Sequence, residues 1–278
     1  MEQQSYEKRG YLRENYRLFH LCGAMEETVD WHYHTFHKII VLLSEGAAYG
    51  IEGRSYALQA GDMVLVGSGC IHRPEVRAGA PYERIILYIS PEFVRARSTP
   101  ECDLEACFTT ARESFRFVVR SGAARRELTQ TLTALEREWG SGKFGSALLC
   151  DALFDQFMIG VGRGMLEHRL EFVDSSACDE KIAAILEYLS ANPAQETTID
   201  DLAARFYISK YHMMRRFREE TGYTIHNYLV TKRLMLAREK IAGGMPVSEA
   251  CYQCGFREYS TFARAYRKLF SEPPRSAR

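Results

Sequence analysis

Short apolar runs rich in β-branched residues, separated by glycine-containing turns, fill the first third of the chain. Residues 39–43 are one such run, Glu52-Gly53 marks a tight turn between two strands, and Gly61 precedes another apolar run. Closely spaced short strands of this kind are typical of a small barrel or sandwich. The pattern therefore predicts a β-rich unit over residues 16–89, followed by a short helix that begins near Pro91.

Beyond this unit the apolar residues follow the spacing of helices. Residues 125–139 and 146–166 repeat Leu, Phe and Met every three or four positions, residues 171–177 lack such a pattern, and residues 179–191 regain it. We therefore predict two amphipathic helices, a linker and a third helix. The first two helices must cover an apolar surface. Their own barrel and a second copy of the chain are both candidates, and we favour the second copy, which predicts a homodimer.

The same sequence unit occurs twice in the last eighty or so residues. The first copy spans residues 198–222 and the second spans residues 246–270. Each holds a short amphipathic segment, a turn and a basic amphipathic segment, and Arg215 overlays Arg264 at an offset of 49 residues. This outline is typical of a helix-turn-helix. Two such units in one chain predict a polypeptide that enters two major grooves of double-stranded DNA.

The second helix of each unit is predicted to contact the DNA with its outward side chains. Helical spacing turns Met213 and Phe217 inward in the first unit, and Phe262 and Tyr266 inward in the second. The predicted DNA-binding residues are Lys210, Tyr211, Met214, Arg215, Arg218, Ser260, Thr261, Arg264, Arg267 and Lys268.

Arginines on these helices suit base recognition. The guanidinium of Arg215 can donate two hydrogen bonds to guanine, whereas Lys210 and Arg218 are placed to reach phosphate. An exposed helix face with two arginines is ordinarily only a solvated face. The matched placement of Arg215 and Arg264 in the two copies favours DNA binding instead.

Charge is distributed unevenly along the chain. The 278 residues have a net charge of zero, which taken alone argues against nucleic-acid binding. From Leu202 onward, however, 15 Lys and Arg stand against 6 Asp and Glu, while the preceding part has 21 against 30. The balance is therefore +9 in the C-terminal part and −9 in the rest. This asymmetry predicts one domain that binds a polyanion and another with a different task.

Several classes of protein lack support in the sequence. No apolar run approaches the length of a membrane span, and the N-terminus is polar and charged. The eight cysteines show no disulfide spacing, so we expect reduced thiols in a cytoplasmic protein. Cys251 and Cys254 have the spacing of a redox or zinc site but no second pair, and we interpret them as buried apolar residues. No nucleophile elbow, phosphate-binding loop or dinucleotide fingerprint occurs, so we predict no catalytic residues and no enzyme.

Three histidines mark the predicted barrel. His32 and His34 alternate along a strand and therefore share a face, and His72 can join them from a neighbouring strand. Three converging imidazoles can bind zinc, iron, nickel or copper. Alternatively, they line a polar cavity or make hydrogen bonds at strand ends.

Residues 180–278 resemble the DNA-binding domain of the AraC/XylS family of bacterial transcription regulators. The matching residues are Leu202, Ala203, Ile208, Ser209, Phe217, Thr221, Gly222, Tyr228, Leu229, Arg233, Ala237, Gly255, Phe256, Phe262, Phe270 and Pro274. Ser271 stands where the family usually has glycine. The resemblance implies two subdomains bridged by a long helix, here over residues 224–242, with recognition helices in adjacent major grooves about 34 Å apart.

The N-terminal pattern resembles a cupin barrel, the usual partner of this DNA-binding domain in the AraC family. The cupin metal motif has Glu where this chain has Lys38, and an ammonium supplies no metal ligand. We therefore predict no metal and no cofactor. The resemblance implies a small polar effector, such as a sugar, inside the barrel. The predicted effector-binding residues are His32, His34, His72, Arg84, Ile86 and Tyr88.

Together these observations predict a multidomain α+β protein. A cupin-like β-barrel would occupy residues 1–97, a helical dimerisation extension and linker residues 98–177, and an all-α double helix-turn-helix domain residues 178–278. The predicted function is effector-controlled transcription regulation, with double-stranded DNA, the effector, a second copy of the chain and RNA polymerase as partners. Two alternatives stay open: a metal-dependent cupin enzyme or metal sensor fused to a DNA-binding module, and helical repeats that bind protein instead of DNA.

Overall fold

Two antiparallel sheets form the N-terminal part of the protein. The computed structural model describes residues 12–23, 29–77, 79–120, 122–177 and 179–277. In the described part before residue 90, the strands are β1 (Tyr16–Leu21), β2 (His37–Leu42), β3 (Ala47–Ile51), β4 (Arg54–Ala57), β5 (Asp62–Val66), β6 (His72–Val76) and β7 (Arg84–Ile89). The order β1-β7-β2-β5 runs through one sheet and β4-β3-β6 through the other. The predicted β-rich unit is therefore confirmed.

Successive side chains of each strand point to opposite faces, which gives the larger sheet an inner and an outer face. Antiparallel pairing sets Lys38 of β2 beside Tyr88 of β7, and both side chains point into the space between the sheets. Their neighbours Ile39 and Leu87 form the next pair and point to the opposite face. The inner face thus carries polar and aromatic groups, while the outer face is apolar and requires a cover.

Four helices follow the strands and supply that cover. They are α1 (Pro91–Arg97), α2 (Ala106–Ser114), α3 (Arg125–Glu138) and α4 (Ser146–Leu166). Leu128 and Leu132 of α3 and Phe157 of α4 lie against Val41 and Ile85 on the outer face of the larger sheet. The two predicted amphipathic helices are confirmed, and they pack on their own barrel. The sequence pattern did not predict α2, whose nine residues carry a weak apolar stripe.

Three short strands beyond residue 97 complete the sheets. They are β8 (Val118–Arg120), β9 (Glu171–Phe172) and β10 (Ser176–Ala177). β8 pairs with β5, β9 pairs with β8, and β10 pairs with β4 of the other sheet. The segment predicted to be an unpatterned linker, residues 171–177, is therefore hydrogen-bonded to both sheets. Strands of two residues are too short to show any periodicity.

The C-terminal part is all helical. Its helices are α5 (Glu180–Ala191), α6 (Ile199–Arg205), α7 (Lys210–Thr221), α8 (Ile225–Ala242), α9 (Val247–Gln253) and α10 (Tyr259–Phe270), followed by a 3-10 turn (Pro274–Ala277). The hydroxyls of Thr198, Ser209 and Thr224 accept hydrogen bonds from the first turns of α6, α7 and α8. The predicted double helix-turn-helix and its long connecting helix are confirmed.

The turn after α10 keeps the geometry that glycine would give it. Ser271 ends the helix with φ of 60° and ψ of 17°, in the left-handed region. A side chain in this region is strained, so the departure from the family pattern costs stability without changing the direction of the chain. Across the described ranges, no helix is both long and apolar enough to cross a membrane.

Candidate DNA-reading helices and effector site

The first candidate reading helix, α7, is anchored by its buried face. Met213 and Phe217 are fully buried, as predicted, so the opposite face is held toward solvent. On that face Tyr211 is 77% exposed and Met214 is 45% exposed. Large side chains left in water on a well-anchored helix favour a partner surface. Arg215 lies on the same side and makes only a loose ion pair with Glu219, at 3.8 Å within its own helix.

The second candidate reading helix, α10, repeats this arrangement. Phe262 and Tyr266 are fully buried, as predicted, against the inner side of the unit. Arg264 occupies the position equivalent to Arg215 and is exposed. The ten predicted DNA-binding residues on α7 and α10 are all exposed. Each helix therefore presents basic and polar side chains that packing does not require.

Arg233 fixes the two units relative to each other. Its guanidinium donates hydrogen bonds from α8 to the carbonyl oxygens of Pro193 (2.8 Å), Gly255 (2.9 Å) and Gln195 (3.0 Å). Gly255 is the turn glycine of the second unit, and a Cβ there would lie 2.6 Å from the carbonyl oxygen of Ala194. One side chain thus ties the turn of the second unit to the loop that precedes the first unit. This arrangement suits two helices that must meet DNA at a fixed spacing.

Three imidazoles meet in the space between the sheets. The ring centroid of His72 lies 4.3 Å from that of His32 and 4.6 Å from that of His34. A β-bridge between His32 and His72 holds their backbones together. Potential ligand atoms of the three rings all lie within 4.8 Å of one another. The structure therefore brings together the three histidines that the sequence singled out.

Each ring is oriented by a backbone carbonyl close to it in the chain. Nδ1 of His32, His34 and His72 lies 2.9 to 3.1 Å from a backbone carbonyl oxygen two residues away in the chain. A carbonyl only accepts hydrogen bonds, so Nδ1 is the donor in each ring. Nε2 of His34 and of His72 is buried without a hydrogen-bond partner among the described residues. Burial lowers the pKa of His34 and His72 well below the usual range, which keeps both rings neutral.

The other predicted effector-binding residues surround this cluster. Tyr88 stands 6.0 Å from the His34 ring, measured between centroids, and Ile86 lies on the same inner face of β7. The Arg84 guanidinium stacks at 3.9 Å on the ring of Tyr82. Tyr49 of β3 and Tyr82, which precedes β7, were not predicted to belong to this site. The Tyr49 hydroxyl is buried without a partner among the described residues. Its sequence signal was a tyrosine at an inward position of a strand, whereas Tyr82 lies outside the strands and had no such signal.

Lys38 also belongs to this interior. It is buried, and its ammonium lies 5.8 Å from the centroid of the Tyr88 ring. Burial, together with the nearby Arg84, lowers its pKa to about 7. His37 points the other way: its ring stacks at 4.2 Å on Phe108 and contacts Glu105 of the helical cover. The space between the sheets is thus lined by polar and aromatic side chains, with the cations of Lys38 and Arg84 at its edge.

The barrel contacts the DNA-binding unit through a buried charge cluster. Glu52, in the β3–β4 turn, is 1% exposed. Its carboxylate accepts hydrogen bonds from the Tyr228 hydroxyl at 2.5 Å, from the Lys232 ammonium at 2.7 Å and from the Ile71 amide at 2.9 Å. Tyr228 and Lys232 belong to α8. From the sequence Glu52 was predicted only as a turn residue, because the residues near it in the chain do not indicate a distant partner.

A second contact joins the segment that carries His32 to the same DNA-binding unit. The Tyr223 hydroxyl, just before α8, donates a hydrogen bond of 3.0 Å to the carbonyl oxygen of Trp31. The Trp31 side chain packs so closely on Gly222 that a Cβ there would lie 2.9 Å from it. Trp31 precedes His32 in the chain, and Ile71 precedes His72. The two interdomain contacts therefore sit one residue from the histidine cluster.

A polar barrel docked on a double helix-turn-helix defines a ligand-responsive DNA-binding protein, and comparison with known proteins identifies its family. The model of the AraC-like ligand binding domain matches residues 18–158, and a helix-turn-helix domain model matches residues 202–278. The chain belongs to the AraC family of transcriptional regulators. It therefore has an N-terminal ligand-binding domain and a C-terminal domain that binds DNA.

Individual relatives are distant. The HTH-type transcriptional activator RhaS of Escherichia coli is 25% identical over 248 residues, which cover 89% of this chain and 86% of RhaS. A probable AraC family transcriptional regulator from Rhodopseudomonas palustris is 32% identical, over 33% of this chain and 87% of that structure, with a TM-score of 0.32. ToxT from Vibrio cholerae, solved with an unsaturated fatty acid bound, is 13% identical over 95% of both chains, with a TM-score of 0.37.

Proposed function

We propose that the protein acts as a homodimer that reads a bipartite operator with α7 and α10 and responds to a small polar effector bound in the barrel. The observation that carries the proposal is the repeated exposed basic face on two helices that both pack on α8, whose Arg233 also bonds to the turn before α10. Two such helices on a rigid support suit two adjacent major grooves better than a protein partner of undefined shape.

The proposed DNA contacts divide by chemistry. Arg215 and Arg264 read base edges, because a guanidinium donates two parallel hydrogen bonds to guanine. Tyr211 and Met214, or Ser260 and Thr261 in the second unit, make the accompanying contacts in the groove. The phosphate contacts are assigned to Lys210, Arg218, Arg267 and Lys268. The last group supplies affinity that falls with salt, whereas the two arginines supply sequence preference.

The proposed effector site is the barrel interior. Among the described residues, His34 and His72 each offer an acceptor nitrogen without a partner, and Tyr49 offers a hydroxyl without a partner. Arg84 and Lys38 add two cationic donors. Buried polar groups without partners are costly, so a ligand that bonds to them gains affinity. Hydroxyl and carboxylate groups of a small metabolite, such as a sugar or a sugar acid, suit this lining.

The proposed route from effector to DNA runs through the interdomain contacts. The histidines are adjacent in the chain to Trp31 and Ile71, which bond to Tyr223 and to Glu52 respectively. An effector that moves the segments around His32 and His72 therefore changes how the barrel packs on α8. It shifts the equilibrium between two arrangements only as far as its affinities for them differ. Such a change alters which pair of half-sites a dimer can span.

Three further assignments complete the proposal. The second copy docks on α4, where Leu148 and Leu166 are 78% and 83% exposed. RNA polymerase is the proposed partner at the promoter. We assign no catalytic step to the protein, in keeping with relatives that are transcriptional regulators.

The proposal is tested by selecting bound sequences from random duplex DNA with the purified full-length protein. We expect an enriched motif with two halves about one helical turn apart. The matched control is the Arg215→Ala, Arg264→Ala double variant, which should retain salt-sensitive binding but lose the enrichment. Enrichment of a single half would contradict reading by both helices. Absence of binding at low salt would favour the alternative in which the helical repeats bind protein.

A further inference from the structure

The turn of the first helix-turn-helix unit contains a strained residue. Tyr207, the second residue after α6, has φ of 49°. This value lies in the left-handed region, where a side chain costs stability and glycine is the usual residue. The second unit follows this rule, because the second residue after α9 is Gly255, with φ of 84°. The first unit therefore keeps a tyrosine at a position where its own second copy has glycine.

Packing does not account for the Tyr207 side chain, which is 88% exposed. The backbone of the turn is held independently of it, because the Lys181 ammonium of α5 donates a hydrogen bond of 2.7 Å to the Tyr207 carbonyl oxygen. Any residue at this position could accept that bond. At Gly255, by contrast, a Cβ would lie 2.6 Å from the carbonyl oxygen of Ala194. A strained residue whose side chain the fold does not use indicates a function for that side chain.

The place of the turn in the unit shows what Tyr207 can meet. Ser209 caps α7, and Tyr211 near the start of that helix is 77% exposed. A recognition helix meets base edges with its N-terminal residues. The turn directly before it then lies at the edge of the major groove, where the sugar-phosphate backbone runs. Tyrosine is among the side chains that form hydrogen bonds to DNA phosphates.

We propose that the Tyr207 hydroxyl donates a hydrogen bond to a phosphate oxygen of the DNA when α7 occupies the major groove. The inference rests on the proposed role of α7 as a reading helix. A phosphate contact fixes the orientation of a helix in the groove and carries no base sequence. Gly255 has no side chain, so the second unit cannot make this contact with its equivalent residue. The two units therefore bind the DNA backbone unequally.

The hydroxyl is tested with Tyr207→Phe in the full-length protein, by fluorescence anisotropy with the selected operator. This variant keeps the ring and the backbone strain. It should raise the operator dissociation constant about tenfold, because a hydrogen bond to a charged group is lost. The dissociation constant for a scrambled duplex should rise by the same factor. A loss confined to the operator would indicate a base contact and overturn the phosphate assignment.

The phosphate itself is located with operator duplexes that each carry one neutral methylphosphonate. At one position in the half-site read by α7, the substitution should weaken binding of the wild-type protein and leave binding of Tyr207→Phe unchanged. Such a pair of responses identifies the two groups that contact each other. If every position weakened the two proteins equally, the contact would be refuted.

Tyr207→Gly tests the argument from strain. Glycine adopts the left-handed region without a clash, so the melting temperature should rise while DNA binding weakens as in Tyr207→Phe. His168, which is exposed between α4 and β9 with φ of 54°, is the matched control. His168→Gly should also raise the melting temperature but leave DNA binding unchanged. A lower melting temperature for Tyr207→Gly would show that the fold needs the tyrosine, and would overturn the inference.

Arg215→Ala separates this inference from the proposed function. If Arg215→Ala weakens operator binding and Tyr207→Phe does not, the phosphate contact is refuted and reading by α7 stands. If neither variant weakens binding, both are refuted. If Tyr207→Phe changes the monomer–dimer equilibrium in analytical ultracentrifugation and leaves DNA binding intact, the exposed tyrosine contacts a second copy of the chain instead of DNA.

Discussion

The Lys232 ammonium lies 2.7 Å from a carboxylate oxygen of Glu52, across the boundary between the DNA-binding unit and the barrel. The two side chains are 10% and 1% exposed. A buried ion pair loses hydration on both sides, so it persists only where further hydrogen bonds satisfy the charges. Tyr228 and the Ile71 amide supply them to the carboxylate. The contact is therefore a specific joint between the domains, whose loss leaves a buried charge unpaired.

A double-mutant cycle with Glu52→Gln and Lys232→Met measures this joint. We expect each variant to lower the free energy of unfolding and the coupling energy to be about 2 kcal/mol, as is typical for contacting residues. The control pair is Arg73 and Glu75, at 2.9 Å but with side chains 39% and 33% exposed. Its coupling should stay below about 1 kcal/mol. Equal coupling in the two cycles, by urea denaturation, would contradict a buried interdomain contact.

Arg215→Ala and Arg264→Ala should each weaken binding to the selected operator by about 1–3 kcal/mol and relax preference at one position. Both side chains are exposed, so the melting temperature should not change. Lys210→Ala should instead weaken binding to all sequences and reduce the salt slope by about one. Fluorescence anisotropy against the operator and a scrambled duplex distinguishes these effects. Arg126→Ala, an exposed position of α3, is the control. If Arg126→Ala weakened operator binding as much as Arg215→Ala or Arg264→Ala, base reading by these two arginines would be contradicted.

The helix-turn-helix units were predictable because their determinants are local. Thr198 and Ser209 cap the helices that follow them, and Phe217 is buried at the spacing that the sequence shows. In the same way, strand alternation places the predicted effector-binding residues Arg84, Ile86 and Tyr88 on one face of β7. These features depend on periods of 2 and 3.6 residues, which a sequence displays directly.

Features that depend on distant pairing were not predictable. Glu52 and Lys232 are 180 positions apart, and neither carries a local signal of burial. The strand β8 has three residues and gains its place by pairing with β5 and β9. The sequence predicted that His72 can meet His32 and His34. It did not predict the hydrogen bonds that fix each ring tautomer, because these depend on the exact backbone geometry.

Leu148→Glu should dissociate the proposed homodimer. Leu148 and Leu166 are 18 residues apart on α4, about five turns, so both lie on one face of the helix. A charge in the contact should raise the dimer dissociation constant about tenfold or more, equivalent to about 1.4 kcal/mol. Analytical ultracentrifugation provides the measurement. Gln156→Glu, an exposed position of the same helix, controls for charge alone. An unchanged dimer in Leu148→Glu would remove α4 as the interface.

Lys38 should make stability depend on pH. Its pKa is about 7 in the folded protein and 10.5 in the unfolded chain, so between these values the unfolded state binds more protons. Stability therefore rises with pH across this window, and the full penalty applies below pH 7. Relative to Lys38→Met, the free energy of unfolding of the wild-type protein should rise by about 2 kcal/mol between pH 7 and pH 9. Urea denaturation at the two pH values provides the measurement. Parallel pH curves for the two proteins would mean that Lys38 is not buried as a charge.

Two glycines of α4 should respond in opposite directions to the same substitution. A Cβ on Gly164 would lie 2.7 Å from Cγ of the buried Leu170, whereas a Cβ on Gly162 meets nothing within 4 Å among the described residues. Gly162→Ala should raise the free energy of unfolding by about 0.5–1 kcal/mol, because alanine loses less entropy in a helix. Gly164→Ala gains the same entropy but overpacks the contact, so it should lower stability by about 1–3 kcal/mol. Denaturant unfolding of both variants tests the close approach of α4 to Leu170, since equal gains would contradict it.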